Sequence, residues 1–142
     1  MSKIFLIGGN RGLGKSILSE SMNHDYKIIS MSRTNKNNDQ ISDITYIQGD
    51  ATSKIDIEKN IENSSVVINS INVMRKNIFP WSKLTNSKTS ISESAKNLVE
   101  VCNQKKISRI ITILNSKVDE KNLGLCCLIK ILSQQKIYVL KS

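Results

Sequence analysis

Short apolar runs alternate with longer amphipathic stretches along the whole chain. The first run, residues 3–7, ends at a glycine, a pattern typical of a buried strand. The run at 66–68 has no alternating polar face, as expected where helices cover both faces of a sheet. Apolar runs of strand length predict five strands after the first: 27–32, 44–47, 66–68, 109–114 and 137–140.

The stretches between these runs carry helix signals. In the first of them, Leu13, Ile17 and Ser21 share one helical face, with Leu18 and Met22 beside it, and we expect this helix to pack on the sheet. Residues 122–134 are apolar almost all round and predict a buried helix. Two further helices are predicted to open with a serine and a carboxylate three residues apart, the spacing of a capping box: Ser53 with Asp56, and Ser90 with Glu93.

Strands and helices that alternate at these lengths predict an α/β fold with a doubly wound parallel sheet. We expect about six strands in the order 3-2-1-4-5-6, with helices on both faces in a three-layer α/β/α arrangement. This is a Rossmann-type arrangement, and the length of 142 residues predicts that it forms a single domain spanning 1–142. Residues 72–89 are the least regular part, and they predict either a lid over a ligand or an irregular insertion.

The stretch GGNRGLGKS at residues 8–16 fits two phosphate-binding patterns. Counted from Gly8 it is G-x-x-x-G-x-G, the turn that places a dinucleotide against a helix. Counted from Gly9 it is G-x-x-x-x-G-K-S, the loop that wraps a nucleoside triphosphate. Both patterns hold phosphate with backbone N–H groups and the positive end of a helix, so the rest of the sequence must distinguish them.

A nucleoside-triphosphate site needs partners beyond the loop. Lys15 would lie on the phosphates and Ser16 on Mg²⁺, with a carboxylate at the end of a buried strand. The fourth and fifth predicted strands end instead in Asn69 and Asn115. Residues 115–119 (NSKVD) resemble the guanine-reading N-K-x-D motif but carry one extra residue. A P-loop protein using Gly9–Ser16 as its phosphate loop is therefore kept as the alternative.

The dinucleotide pattern assigns a role to three of the four glycines in the turn. Gly8 makes the tight turn, Gly12 lets the pyrophosphate approach, and Gly14 allows the helix to pack closely on the strand. A dinucleotide site also needs a group at the end of the second strand that binds the adenosine ribose.

The end of the second strand distinguishes the two nicotinamide cofactors. A carboxylate there would bind the ribose hydroxyls of NAD, but the sequence has Ser32 and Arg33. A guanidinium suits a 2′-phosphate through paired, charge-assisted hydrogen bonds. Arg11, inside the turn, supports the same choice. We therefore predict NADP(H) in preference to NAD(H).

Four stretches follow one another in the order expected of a known family: 7–14 (IGGNRGLG), 46–52 (YIQGDAT), 66–70 (VVINS) and 95–111. Together they resemble the short-chain dehydrogenase/reductase superfamily, in its extended and atypical (NmrA-like) branches. The resemblance implies that Asp50 and Ala51 lie by adenine, and that Asn69 and Ser70 lie beside the ribose and the glycine turn. The predicted cofactor-binding set is Gly8, Asn10, Arg11, Gly12, Leu13, Gly14, Ser32, Arg33, Asp50, Ala51, Asn69 and Ser70.

The catalytic residues of that superfamily have no clear counterpart. Most members carry Y-x-x-x-K on a helix, whereas Tyr138 and Lys141 are only three apart and Ser116 is a loose match for the catalytic serine. The matching helix position reads CCLIK at 126–130. We assign no catalytic residue and expect a minimal atypical NADPH-dependent reductase or a cofactor-binding regulatory protein. The chain also ends where members continue into a substrate-binding portion, which implies a shortened relative.

Composition narrows the remaining classes. The net charge is +9, but adjacent basic pairs are few and aromatic content is 4%, so we do not predict a nucleic-acid partner. Three cysteines without C-x-x-C spacing and one histidine predict no metal site. No apolar stretch reaches the about 18 residues of a membrane span, so we expect a cytoplasmic protein without membrane contact. The substrate is not identified, and a homodimer remains open as a partner.

Overall fold

The computed structural model describes residues 2–34, 43–61, 63–71, 90–114 and 136–141. Within these ranges the chain alternates strands with helices, as the sequence pattern predicts. In chain order the elements are β1 (Lys3–Ile7), α1 (Gly12–Ser21), β2 (Lys27–Ser32), β3 (Ile44–Gln48), α2 (Lys54–Asn60), β4 (Val66–Asn69), α3 (Ser90–Gln104), β5 (Arg109–Leu114) and β6 (Lys136–Lys141).

All six strands pair in parallel in one sheet, in the order β3-β2-β1-β4-β5-β6. This confirms the predicted fold class and strand order. The chain moves outward from β1 through β2 to β3, then returns to place β4 on the other side of β1. The direction of winding therefore reverses between β1 and β4. In open α/β sheets, ligands bind at such a reversal, beyond the carboxyl ends of the strands.

Each face of the sheet has its own apolar core. Successive residues of a strand point to opposite faces, so Phe5 and Ile7 lie on one side of β1 and Leu6 on the other. The larger core joins β1 to α2 and α3 through the fully buried Ile57 and Leu98, among others. The smaller core is formed by Leu6, Leu18, Ile28 and Ile44, so that α1 covers the second face. These two cores give the predicted three layers.

The buried stripe of α1 agrees with the predicted one except at its start. Ser21 is buried, and Ile17 packs, partly buried, against the smaller core, to which the neighbouring Leu18 belongs. Leu13 is 41% exposed, since the helix approaches the sheet through the buried Gly14. A glycine carries no apolar signal, so the pattern assigns Leu13 rather than Gly14 to the start of the stripe.

The predicted cap of α2 is confirmed, with one variation. The Ser53 hydroxyl accepts a hydrogen bond from the Asp56 N–H at 3.3 Å. The Asp56 carboxylate does not return to the capping residue; it accepts a hydrogen bond from the Asp50 N–H at 2.9 Å. Ser90, expected to open α3 as a cap, is already its first helical residue. The predictions for 72–89, 116 and 122–134 lie outside the described residues.

Candidate functional site

The glycine turn begins where β1 ends. Gly8 has φ +92° and Gly12 has φ +51°, backbone conformations that side chains with a Cβ rarely adopt. The Gly8 N–H donates to the carbonyl of Met31 at 3.0 Å, which ties the turn to β2. A Cβ on Gly12 would meet no atom within 4 Å, so open space surrounds this position. The backbone at Gly12 can therefore be approached closely by a ligand.

Gly14 brings helix α1 directly onto this turn. A Cβ on Gly14 would lie under 3.0 Å from the Gly8 carbonyl oxygen and 2.7 Å from the Ser70 hydroxyl. No side chain fits there without moving the backbone. This close approach of helix and turn is the geometry expected of the last glycine, although its contact with a cofactor stays a prediction.

Gly9 has a packing role that the sequence did not reveal. A Cβ there would lie under 3.0 Å from the hydroxyl of Ser30 on β2 and 2.9 Å from a methyl group of Leu18. From the sequence alone, Gly9 is only the first residue of the triphosphate pattern. The available signal is Ser30, a small polar residue between the apolar Ile29 and Met31, although which glycine it meets depends on how the elements pack.

Ser70 joins the end of β4 to the end of β1, at the point where the winding reverses. Its N–H donates to the Ile7 carbonyl at 3.0 Å. Its hydroxyl lies 2.8 Å from the same oxygen and 3.2 Å from the Gly8 carbonyl. The single hydroxyl proton of Ser70 is therefore directed at the backbone of the turn.

Asn69 is 1% exposed, and its side-chain oxygen accepts a hydrogen bond from the Ile71 N–H at 3.2 Å. Ser70 therefore supports the turn, whereas Asn69 holds the backbone that follows β4.

The start of helix α1 is open to an anion. Its capping residue is Arg11, which has an extended backbone and makes no side-chain hydrogen bond to the first turn. No acidic residue lies in that turn either. The first N–H groups of a helix lack partners within the helix, and the helix dipole makes this end positive. Together with the glycine turn, this end is suited to hold phosphate oxygens.

Four residues of the predicted cofactor-binding set lie in the glycine turn and at the end of β2: Asn10, Arg11, Ser32 and Arg33. Asn10 donates its side-chain amide to the Thr34 carbonyl, and the Ser32 hydroxyl lies 3.0 Å from the same oxygen. These two side chains are therefore already engaged with backbone. Arg11 and Arg33 are exposed, and no ion pair involves either of them within the described part of the chain. The structure brings the turn and the end of β2 together through Asn10.

Asp50 and Ala51 lie in the turn between β3 and α2. One oxygen of the Asp50 carboxylate accepts hydrogen bonds from the N–H and the hydroxyl of Thr52, both at 2.9 Å. Asn97 on α3 donates to the Thr52 carbonyl at 2.7 Å and fixes the turn from the other side. Ala51 is buried in the larger core. The carboxylate is thus held in one orientation, while contact with adenine stays a prediction.

The two residues that the triphosphate alternative assigns to phosphate and Mg²⁺ lie at the start of α1. Lys15 and Ser16 are exposed residues near the start of α1, and the Ser16 hydroxyl is 3.4 Å from the Gly12 carbonyl. Across the ranges that the structure covers, no group of three or more His, Cys, Asp or Glu residues could hold a metal ion.

None of the three described helices is long and apolar enough to cross a bilayer.

A family of NAD(P)H-binding proteins matches residues 8–126 of the sequence. The match contains the glycine turn and every strand from β2 to β5. No curated protein matches the sequence itself. The match selects a nicotinamide dinucleotide over a nucleoside triphosphate as the cofactor class.

Solved structures with the same fold are numerous. The UDP-Glc/GlcNAc 4-epimerase of Campylobacter jejuni is 15% identical, with a TM-score of 0.76 over 99% of this chain and 53% of that one. The enzyme WbmG of Bordetella bronchiseptica, in complex with NAD, is 12% identical, with a TM-score of 0.75 over 98% of this chain and 52% of that one. This chain spans about half the length of both proteins. The family match shows an NAD(P)H-binding chain, and these solved structures share its fold.

Proposed function

The chain belongs to the NAD(P)H-binding family, and we propose that it forms one Rossmann-type domain that binds NADP(H) in preference to NAD(H). The observation that carries this preference is the end of β2. Ser32 and Arg33 stand where proteins that bind NAD place a carboxylate on the ribose hydroxyls. A carboxylate there would repel a 2′-phosphate, whereas an exposed guanidinium attracts it.

The cradle residues fit a dinucleotide diphosphate. Gly8 turns the chain, Gly12 leaves open space, and the uncapped start of α1 offers N–H donors. These features support the diphosphate above the first turn of α1. Leu13, which is exposed in that turn, would then lie against the ligand rather than in the core.

The adenosine end is supported by two neighbouring segments. We propose that Arg11 and Arg33 hold the 2′-phosphate, with Asn10 and Ser32 framing it through their bonds to the Thr34 carbonyl. WbmG was solved with NAD, so the fold alone does not select the phosphorylated cofactor. The preference proposed here follows from the two arginines of this chain.

The remaining predicted residues complete the pocket. The fixed Asp50 carboxylate, with Ala51 beside it, would face adenine, and Asn69 and Ser70 would support the ribose side of the turn. A bound nicotinamide supplies hydride chemistry. No proton donor for that chemistry is assigned among the residues of this chain. We therefore propose cofactor binding as the function, in a minimal reductase or in a regulatory protein that senses NADPH.

Ligand binding measured on four variants tests the proposal. Titration of the wild type with NADPH, NADH and Mg²⁺-ATP should give the tightest binding with NADPH. Arg33→Ala should weaken NADPH about tenfold or more, the effect of losing charge-assisted hydrogen bonds, and leave NADH nearly unchanged. Arg109→Ala is the matched control, because Arg109 is an exposed arginine at the opposite, amino-terminal end of the sheet.

Two results would contradict the proposal. Equal losses for NADPH and NADH in Arg33→Ala would remove the basis of the preference. Tight Mg²⁺-ATP binding that Lys15→Ala and Ser16→Ala abolish would favour the triphosphate alternative. Turnover assays with quinone, flavin and aldehyde acceptors then separate the reductase from the regulatory protein, since only the reductase oxidises bound NADPH.

A further inference from the structure

Gln48, the last residue of β3, reaches across to the end of β2. Its side-chain amide donates to the carbonyl of Arg33 at 3.1 Å. The next residue along, Gly49, donates its backbone N–H to the Ser32 carbonyl at 3.0 Å. Two successive residues at the end of β3 therefore hold two successive carbonyls at the end of β2.

The third carbonyl in this row is held from a different segment. Asn10, in the glycine turn, donates to the Thr34 carbonyl. The backbone from Ser32 to Thr34 is thus held at three successive peptides by groups from two other parts of the chain. The register between β2 and β3 ends with Ser32 opposite Gln48. Beyond it, the Arg33 carbonyl is bound by a side chain rather than by the sheet.

We propose that Gln48 is a positioning residue for cofactor specificity. It fixes the peptide from which Arg33 extends, so that the guanidinium meets the 2′-phosphate in the orientation that paired hydrogen bonds require. This inference rests on the proposed preference for NADP(H). Gln48 acts through Arg33 and needs no contact with the ligand.

The chemistry of the side chain fits this role. A glutamine amide is neutral and offers two N–H donors, so one can hold the Arg33 carbonyl without adding charge near a phosphate. A glutamate at position 48 has no N–H to donate at neutral pH and would bring a negative charge to the same place. Gln48 is exposed, so its removal leaves no cavity in the core. An effect on specificity can therefore be separated from an effect on folding.

A double-mutant cycle tests the inference with NADPH and NADH as the probes. Gln48→Ala should weaken NADPH about fivefold, the effect of one lost hydrogen bond, and change NADH by less than about twofold. Gln48→Glu should weaken NADPH further. In an Arg33→Ala background, Gln48→Ala should have no additional effect on NADPH, because the residue through which it acts is gone. Gln104→Ala, an exposed glutamine at the end of α3, is the matched control and should change neither affinity.

The outcomes separate the two proposals. If the wild type binds NADPH and NADH equally, the cofactor preference is wrong, and the role of Gln48 is wrong with it. If Arg33→Ala abolishes a clear preference while Gln48→Ala retains it, the preference stands and the positioning role is overturned. Equal losses for both cofactors in Gln48→Ala, or an unchanged effect in the Arg33→Ala background, would also overturn it. Melting temperatures of all variants identify any loss that comes from unfolding.

Discussion

The hydroxyl of Ser30 occupies the space into which any side chain on Gly9 would extend. A Cβ on Gly9 would lie under 3.0 Å from that oxygen. Ser30 is 0% exposed, and its hydroxyl has no hydrogen-bond partner among the residues that the structure describes. The glycine turn and the centre of β2 are therefore fitted to each other. This fit buries the Ser30 hydroxyl where no described residue forms a hydrogen bond with it.

This contact predicts opposite effects for two substitutions. Gly9→Ala should lower the free energy of unfolding by about 1–3 kcal/mol, the usual cost of forcing extra volume into a packed site. Ser30→Ala should raise it by about 1 kcal/mol, because it removes a buried hydroxyl that has no hydrogen-bond partner among the described residues. Chemical denaturation of both variants gives the two values directly.

The double variant checks that the two residues act on each other. With Ser30 replaced by alanine, the added methyl group of Gly9→Ala loses its closest neighbour, so its cost should fall by about 1 kcal/mol or more. Ser65→Ala, an exposed serine just before β4, should leave the cost of Gly9→Ala unchanged. Additive effects in the Gly9 and Ser30 pair would contradict the contact.

An ion pair between α2 and α3 predicts an acid dependence of stability. Lys54 Nζ lies 3.0 Å from Glu100 Oε2, and this lysine holds the pKa of Glu100 below its ordinary value of 4.5. A lowered carboxyl pKa adds stability above the ordinary value, and that stability is lost as the pH falls through the folded-state pKa. The difference in unfolding free energy between wild type and Glu100→Gln should therefore shrink on acidification. Glu58→Gln, which changes an exposed glutamate of α2, is the control.

Burial of Cys102 predicts an alkaline dependence and a protected thiol. The side chain is 0% exposed, and burial raises the pKa of its thiol from 9.0 to about 12. The folded state therefore binds this proton more tightly, so its stabilising effect is complete below pH 9.0 and is lost as the pH rises towards about 12. In a Cys126→Ala, Cys127→Ala background, Cys102 should react with a thiol reagent at pH 8 only as fast as the protein unfolds. Rapid labelling of the folded protein would contradict this.

The sequence predicts the fold well because its signals are local. Each buried strand is a short apolar run, and βαβ lengths restrict the sheet to parallel, right-handed connections, which leaves few strand orders. The helix stripe at α1 is wrong only at its start, where the contact runs through Gly14, a residue that hydrophobic periodicity does not register. Patterns of side-chain polarity identify which face is buried only where side chains make the contact.

The sequence predicts those site residues whose type and spacing alone indicate a role. The glycines and Arg33 can be found from residue type and spacing. Gln48 could not, because its bond to the Arg33 carbonyl joins residues 15 apart and depends on the register of β2 against β3. Gly9 is a similar case, since the Ser30 side chain that excludes a Cβ comes from the neighbouring strand.

Gly12 and Gly14 lie two residues apart, yet the structure gives them different constraints. Gly12 has a left-handed backbone with open space around it, whereas Gly14 is enclosed by the Gly8 carbonyl and Ser70. Alanine at the first position strains only the backbone. Alanine at the second must displace the helix from the turn. Gly12→Ala should therefore affect cofactor binding more than stability, and Gly14→Ala should affect stability more.

Gly12→Ala should cost about 1–2 kcal/mol of stability, the penalty of a left-handed alanine, and the domain should remain folded. Its Cβ would enter the space that we propose for the diphosphate, so NADPH and NADH should both weaken at least tenfold. Gly14→Ala should lower the melting temperature far more, because its Cβ would lie under 3.0 Å from backbone. Calorimetric unfolding with cofactor titration of both variants measures the contrast. Unchanged NADPH affinity in folded Gly12→Ala would place the diphosphate elsewhere, whatever the stability of Gly14→Ala.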